Sequence, residues 1–166
     1  MIRPFVPWPD RRLRTPAAPV TEVTEETRTI WNDMIETMDA MPGYGLAGPQ
    51  IGVMQRLAVV DCSDERGQAV RLANPEILHA SGQLRMHEEA SPNLPGVFAA
   101  IERPRAVTVR FLNERGELEE RDFVGLWATS VQHQIDHLEG RMYFDRLSPL
   151  KRRMLLAKAE KLTRRA

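Results

Sequence analysis

Apolar positions recur at helical spacing in three parts of the chain, with strand-like runs between the first two. Ile30, Trp31, Met34, Ile35, Met38 and Met41 return every three or four residues, with Glu25, Glu26, Asp33 and Glu36 interspersed. This spacing predicts a helix beginning at Thr24 and stopped by Pro42-Gly43. The period then changes. Residues 57–60, 70–73, 106–111 and 119–124 are short runs bounded by turn residues and predict strands. Asn113-Glu-Arg-Gly116 predicts a hairpin loop, and so an antiparallel pair. Beyond Gly125 the helical period resumes through Leu126, Ser130, His133, His137 and Leu138, and ends near Gly140, which readily takes the left-handed cap conformation. A third helix is expected after Ser148 as cap and Pro149 as first residue, with Leu150, Met154, Leu155 and Leu162 as an apolar stripe facing the body. Five of the twelve prolines fall in residues 1–20, which predicts an extended arm.

The 166 residues, 42% of them hydrophobic, suffice for one ordinary core. With no internal repeat and no compositional break, residues 1–166 are expected to form a single domain. Lys plus Arg and Asp plus Glu each total 23, so no net field draws the chain to nucleic acid or an anionic membrane. Cys62 is the only cysteine, which excludes an internal disulfide and any multi-cysteine zinc site. Prolines and charges break up the N-terminal residues, and no apolar run spans a bilayer, so a soluble, cytoplasmic protein is expected.

The chemistry concentrates on the second helix. His133 and His137, four residues apart, lie on one helical face within reach of a single metal ion. That spacing also arises on many solvated faces and does not by itself establish a metal site. In the related metalloprotease motif a Glu follows the first His and relays a proton from the metal-bound water to the leaving nitrogen. Here the residue is Gln134, whose amide can orient a water but has no proton-accepting state near neutral pH.

Three stretches together resemble the peptide deformylase family, metalloenzymes that remove the formyl group from nascent bacterial proteins. Gly43-Tyr-Gly-Leu-Ala-Gly-Pro-Gln50-Ile-Gly resembles the family's Gly-x-Gly-x-Ala-Ala-Pro-Gln segment. Glu89-Ala-Ser-Pro-Asn-Leu-Pro-Gly96 is similar to Glu-Gly-Cys-Leu-Ser-x-Pro-Gly, and Gln132-His-Gln-Ile-Asp-His-Leu-Glu-Gly140 to Gln-His-Glu-x-Asp-His-Leu-x-Gly. Flanking matches at residues 9–14, 74–77 and 144–151 extend the likeness over nearly the whole chain. The resemblance implies an α+β fold, with antiparallel strands around the central helix bearing the histidine pair and further helices near each end. It also implies a groove for an extended N-formylmethionyl or methionyl peptide, bordered by Gly43, Gly45 and Gln50, with Leu46, Ile51, Val97, Phe98 and Leu126 as candidate apolar walls.

The departures fall on the chemistry. Ser91 stands where the family has the metal-binding Cys, and a neutral hydroxyl is a far poorer donor than a thiolate. Pro92 stands where the family's Leu gives a backbone N–H to the formyl oxygen, and proline has none. Gln134 replaces the general base. These changes imply weak or no deformylase activity, and either one divalent ion (iron, nickel or zinc) held by His133, His137 and Ser91 at reduced affinity or none. The alternative is a working metal-dependent hydrolase in which Glu89 or Glu88 replaces the lost ligand. In the bland reading Glu89 is a structural carboxylate and Glu88 is solvated. Cys62 reads as a packing residue, and His79 and His87 as surface or hydrogen-bonded histidines. The last helix carries Lys151, Arg152, Arg153, Lys158, Lys161, Arg164 and Arg165. By resemblance that basic cluster implies a ribosome contact; the plainer reading is a solvated face.

Overall fold

A computed structural model describes residues 1–165. Helix α1 (Glu25–Ala40) begins where the sequence predicts, and Thr24 and Thr27 exchange side-chain-to-backbone hydrogen bonds that satisfy two otherwise unpaired donors. Glu25 and Glu26 in the first turn complement the helix dipole. Strands β1 (Gly45–Ala47), β2 (Leu57–Val60), β3 (Val70–Ala80), β6 (Ala106–Leu112) and β7 (Leu118–Val124) form one antiparallel sheet in the order β1-β2-β3-β6-β7. The hairpin loop falls where Asn113–Gly116 predicts it, closed by the Gly116 N–H bonding to the Asn113 carbonyl at 2.9 Å. Strand β2 is buried along its whole length because both faces of the sheet are covered. Alternation then splits its residues: Ala58 and Val60 join the core against helix α2 (Leu126–Leu138), while Leu57 and Val59 join the core against α1, around Trp31, Met34 and Met38.

A second, two-stranded sheet is the main element the sequence pattern does not announce. Strands β4 (Leu84–Ser91) and β5 (Leu94–Pro104) pair antiparallel, with Pro92 and Asn93 at the tight turn. Behind this hairpin a third core joins Val97 and Ile101 to Val6, Leu13, Met142, Phe144 and helix α3 (Pro149–Arg165). Ser148 caps α3 as expected, accepting from the Lys151 N–H. The predicted stripe on α3 is corrected, however. Leu155 and Ala159 face the body, whereas Leu150, Met154 and Leu162 are exposed, because the third core presents only a narrow strip to this helix.

Helix α2 runs through the middle, and every residue from Ala128 to Leu138 is buried. Its polar residues are therefore enclosed by protein and must find partners. Gly140 ends this segment at φ +79°, where a Cβ would stand 2.8 Å from the carbonyl carbon and oxygen of Arg14. The proline-rich arm lies extended against the body as expected, with one 3₁₀ turn at Arg11–Arg14. Its backbone bonds reach Gln50, Asn93 and Leu138, so it straps the cleft region from outside. The architecture is α+β: antiparallel strands around a central helix, with helices near each end. Among the described residues no helix is long and apolar enough to cross a membrane.

Candidate functional site

A cavity of about 640 Å³ opens between the loop 41–45, strand β4 with its turn, and the first two turns of α2. It brings together Gly43, Gly45, Gln50, Ser91, Pro92, His133 and Gln134 from three distant stretches of sequence, and His137 lies one turn beyond His133. Gly45 is required by contact: a Cβ there would stand 2.5 Å from Gln134 Nε2 and 2.6 Å from Ser130 Oγ. Of the five residues expected as apolar walls only Leu126 lines the cavity. Leu46, Ile51 and Val97 are turned into the cores, and Phe98, on the opposite face of β5 from Val97, is exposed. The apolar rim is instead Phe5, Met41, Pro42, Pro92 and Pro95 with Leu126.

The histidine pair is held from behind. The Glu89 carboxylate accepts from His133 Nδ1 at 2.7 Å, so Nδ1 carries the hydrogen and Nε2 presents its lone pair. Burial favours the neutral Glu89 carboxyl, but hydrogen bonds from Arg103 and His133 outweigh this and hold it below the ordinary glutamate range. Arg103, only 1% exposed, grips both Glu89 oxygens at 2.6 and 2.8 Å and reaches Asp136 at 2.9 Å, and Asp136 in turn binds Arg146. Tyr143 stacks against the His133 ring, and burial pushes its hydroxyl up to about 12. Sequence reasoning names Glu89 as a structural carboxylate but misses Arg103, whose partners lie 14 and 33 residues away. The alternative in which Glu89 replaces the lost ligand does not fit this geometry, since its oxygens are engaged at His133 Nδ1 and Arg103, away from Nε2.

The Nε2 atoms of His133 and His137 lie 3.1 Å apart. This suits two ligands converging on one divalent ion at bond lengths of roughly 2 Å. The third position is different. Ser91 Oγ donates to Asn93 Oδ1 at 2.9 Å and accepts from the Asn93 N–H at 3.3 Å. Among the described residues no three His, Cys, Asp or Glu side chains are grouped to hold a metal. The donor set therefore suits an ion bound by two imidazoles and lacks a third anionic ligand. Asn93, 2% exposed, is a second residue missed from sequence: it binds Ser91, accepts from Gln50 Nε2 at 2.9 Å, and donates to the Val6 and Gln50 carbonyls. Its position at a Pro-flanked hairpin tip was the available signal. Gln50 is inside the cleft wall as expected, with Oε1 accepting from the Ala47 N–H and Nε2 directed to Asn93.

Gln134 is 4% exposed, and its Oε1 has no hydrogen-bond partner. His79 is exposed, in keeping with a surface histidine. His87 is half-buried: it lines the cavity, and its Nδ1 is buried without a hydrogen-bond partner. Glu88 is exposed at the rim. Cys62 packs beside the core as expected, its thiol pushed up to about 12 by burial.

The sequence and the fold point to the same relatives. The polypeptide deformylase family model matches residues 2–153. This chain belongs to the polypeptide deformylase family. It is 43% identical to peptide deformylase 1 of Burkholderia multivorans over 157 residues, covering 95% of this chain and 87% of that one. The crystal structure of a peptide deformylase from Legionella pneumophila superposes with a TM-score of 0.91 at 40% identity, covering 99% and 96% of the two chains. A Met-Ala-Ser-bound deformylase structure from Acinetobacter baumannii superposes with a TM-score of 0.83 at 29% identity, over 89% and 99%.

Proposed function

We propose that this deformylase-family protein keeps the peptide cleft of its relatives but has weak or no deformylase activity. The observation that carries the reading is the hydrogen bonding of Ser91. Its hydroxyl donates a hydrogen bond to Asn93 Oδ1, so the residue standing in the family's thiolate position acts as a structural donor. His133 and His137 would hold a divalent ion, and such an ion, when bound, acidifies a water and polarises a carbonyl. With two imidazoles and no thiolate, that ion is held at reduced affinity.

What the chain's own residues contribute is positioning. Glu89 fixes the His133 ring, and the 43–45 loop and β4 wall an extended slot. Pro92 gives no backbone hydrogen to an oxyanion, a loss worth about 10²–10³-fold in rate at comparable sites. Gln134 cannot take up the proton that must reach the leaving nitrogen, typically a further 10²–10⁴-fold, though such losses do not simply multiply. Peptide binding is supported by the open cleft and by the Met-Ala-Ser complex of the Acinetobacter relative. A ribosome contact through the basic face of α3 belongs to the same reading.

The test is formate release from formyl-Met-Ala-Ser by purified protein supplied in turn with iron, nickel or zinc, alongside an active deformylase. Turnover below about a thousandth of the active enzyme is expected. Comparable turnover contradicts the reading.

A further inference from the structure

The loop that walls one side of the cleft, Met41-Pro-Gly-Tyr-Gly45, has no buried residue among its five. With so little packing its place depends on hydrogen bonds, and a segment held in this way opens at low cost. The Gly43 N–H bonds to the Met38 carbonyl at 2.9 Å, and the Tyr44 carbonyl accepts from the Asp61 N–H and from Ser130 Oγ, each at 2.9 Å. The Gly43 carbonyl is met by the side chain of Arg66, whose Nη2 donates to it at 2.8 Å.

Arg66 joins three segments. Its Nη1 donates to the Asp61 carbonyl at 2.9 Å, and its Nη2 and Nε reach Asp39 Oδ1, near the end of α1, at 2.6 and 3.2 Å. The loop that carries Arg66 folds back on the Asp61 carboxylate, which accepts from the Ser63 hydroxyl and N–H and from the Gln68 N–H. There the Arg66 backbone takes φ +61°, a left-handed conformation uncommon for a residue with a Cβ. A planar guanidinium with five fixed donors meets Gly43, Asp61 and Asp39 together, which the point charge of a lysine does not. No residue from 61 to 68 lines the cavity, so this clamp acts on the cleft wall from behind.

A wall fixed beforehand spares the ordering cost that a loose one adds to binding. Resting on the reading that the cleft holds a peptide, we propose that Arg66 is a positioning residue for that peptide, fixing the 41–45 wall from outside the cavity through the Gly43 carbonyl.

The experiment is calorimetric titration of the full-length protein with Met-Ala-Ser, which cannot be turned over, with circular dichroism to verify the fold. It is repeated for Arg66→Gly, which suits the left-handed backbone while removing the guanidinium, and for that variant with millimolar methylguanidinium added. Arg66→Gly is expected to bind at least about tenfold more weakly, and methylguanidinium to recover at least about threefold of that loss while leaving the unaltered protein's affinity as it is. Unchanged binding by Arg66→Gly overturns the proposal and leaves the peptide cleft standing. Weaker binding that methylguanidinium does not recover assigns the loss to a general loosening of the fold and overturns it as well. Absence of binding by the unaltered protein overturns this proposal together with the peptide-cleft reading.

Discussion

The side chains that decide the chemistry of this cleft differ in how far they can be read from sequence. His133 and His137 declare themselves by a four-residue spacing on one helix, and Gln50, Ser91, Pro92 and Gln134 by their places in short motifs. Asn93, Arg103 and His87 carry no such mark, since each sits singly on a strand or turn and meets partners brought in by the fold. Asn93, for example, donates to the carbonyl of Val6, 87 residues away. Arg103 is the clearest case of a residue acting through another, because it holds the carboxylate that orients His133. Removing one member of a buried ion network leaves uncompensated charge and typically costs about 3–5 kcal/mol. Arg103→Leu is therefore expected to lower the urea midpoint strongly, with Glu89 left without its guanidinium and Asp136 held by Arg146 alone. A midpoint within error of the unaltered protein would show that the network is not structural.

Among the elements, the three helices and the β6-β7 hairpin follow from local periodicity and turn chemistry. The hairpin β4-β5 does not, because Pro92, Pro95, Gly96 and Pro104 interrupt it and its alternation is set by which face meets α2. The same cause misplaced the apolar walls: Val97 and Phe98 are neighbours in sequence but point to opposite sides. The end of α2 was legible, and it is strict. At Gly140, with φ +79°, an added Cβ would press into the Arg14 backbone, so Gly140→Ala is expected to destabilise by about 1–3 kcal/mol in denaturant titration. A smaller loss would mean that the arm yields easily. On α3 the basic residues Lys158 and Lys161 are exposed. If this face meets ribosomal RNA, the double substitution Lys158→Glu and Lys161→Glu should abolish co-sedimentation with ribosomes at low salt. Unchanged co-sedimentation removes the contact.

At the scale of the whole molecule the formal charge is zero at pH 7 and turns positive as acid neutralises the carboxylates, so the part played by one carboxylate is read by a substitution that removes its titration. Asp61 is one such group. Burial would raise its carboxyl, but hydrogen bonds from the Ser63 hydroxyl and the Ser63 and Gln68 backbone amides hold it below the ordinary value of 3.8. A lowered folded-state value stabilises the fold above pH 3.8, and that contribution disappears as pH falls through the folded value. Asp61→Asn should therefore cost stability at pH 7 and much less at about pH 3, measured as urea midpoints at the two pH values. An equal cost at both would refute the linkage.

In the proposed function an intact deformylase fold surrounds a site from which a metal ligand, an oxyanion donor and a proton relay have been exchanged. This function is tested most directly by formate release from formyl-Met-Ala-Ser with nickel or iron supplied, comparing the protein with its Ser91→Cys, Pro92→Leu, Gln134→Glu triple variant. The account predicts a rise of at least about 10³-fold in the variant. Full deformylase turnover by the unaltered protein, with no gain in the variant, would contradict it.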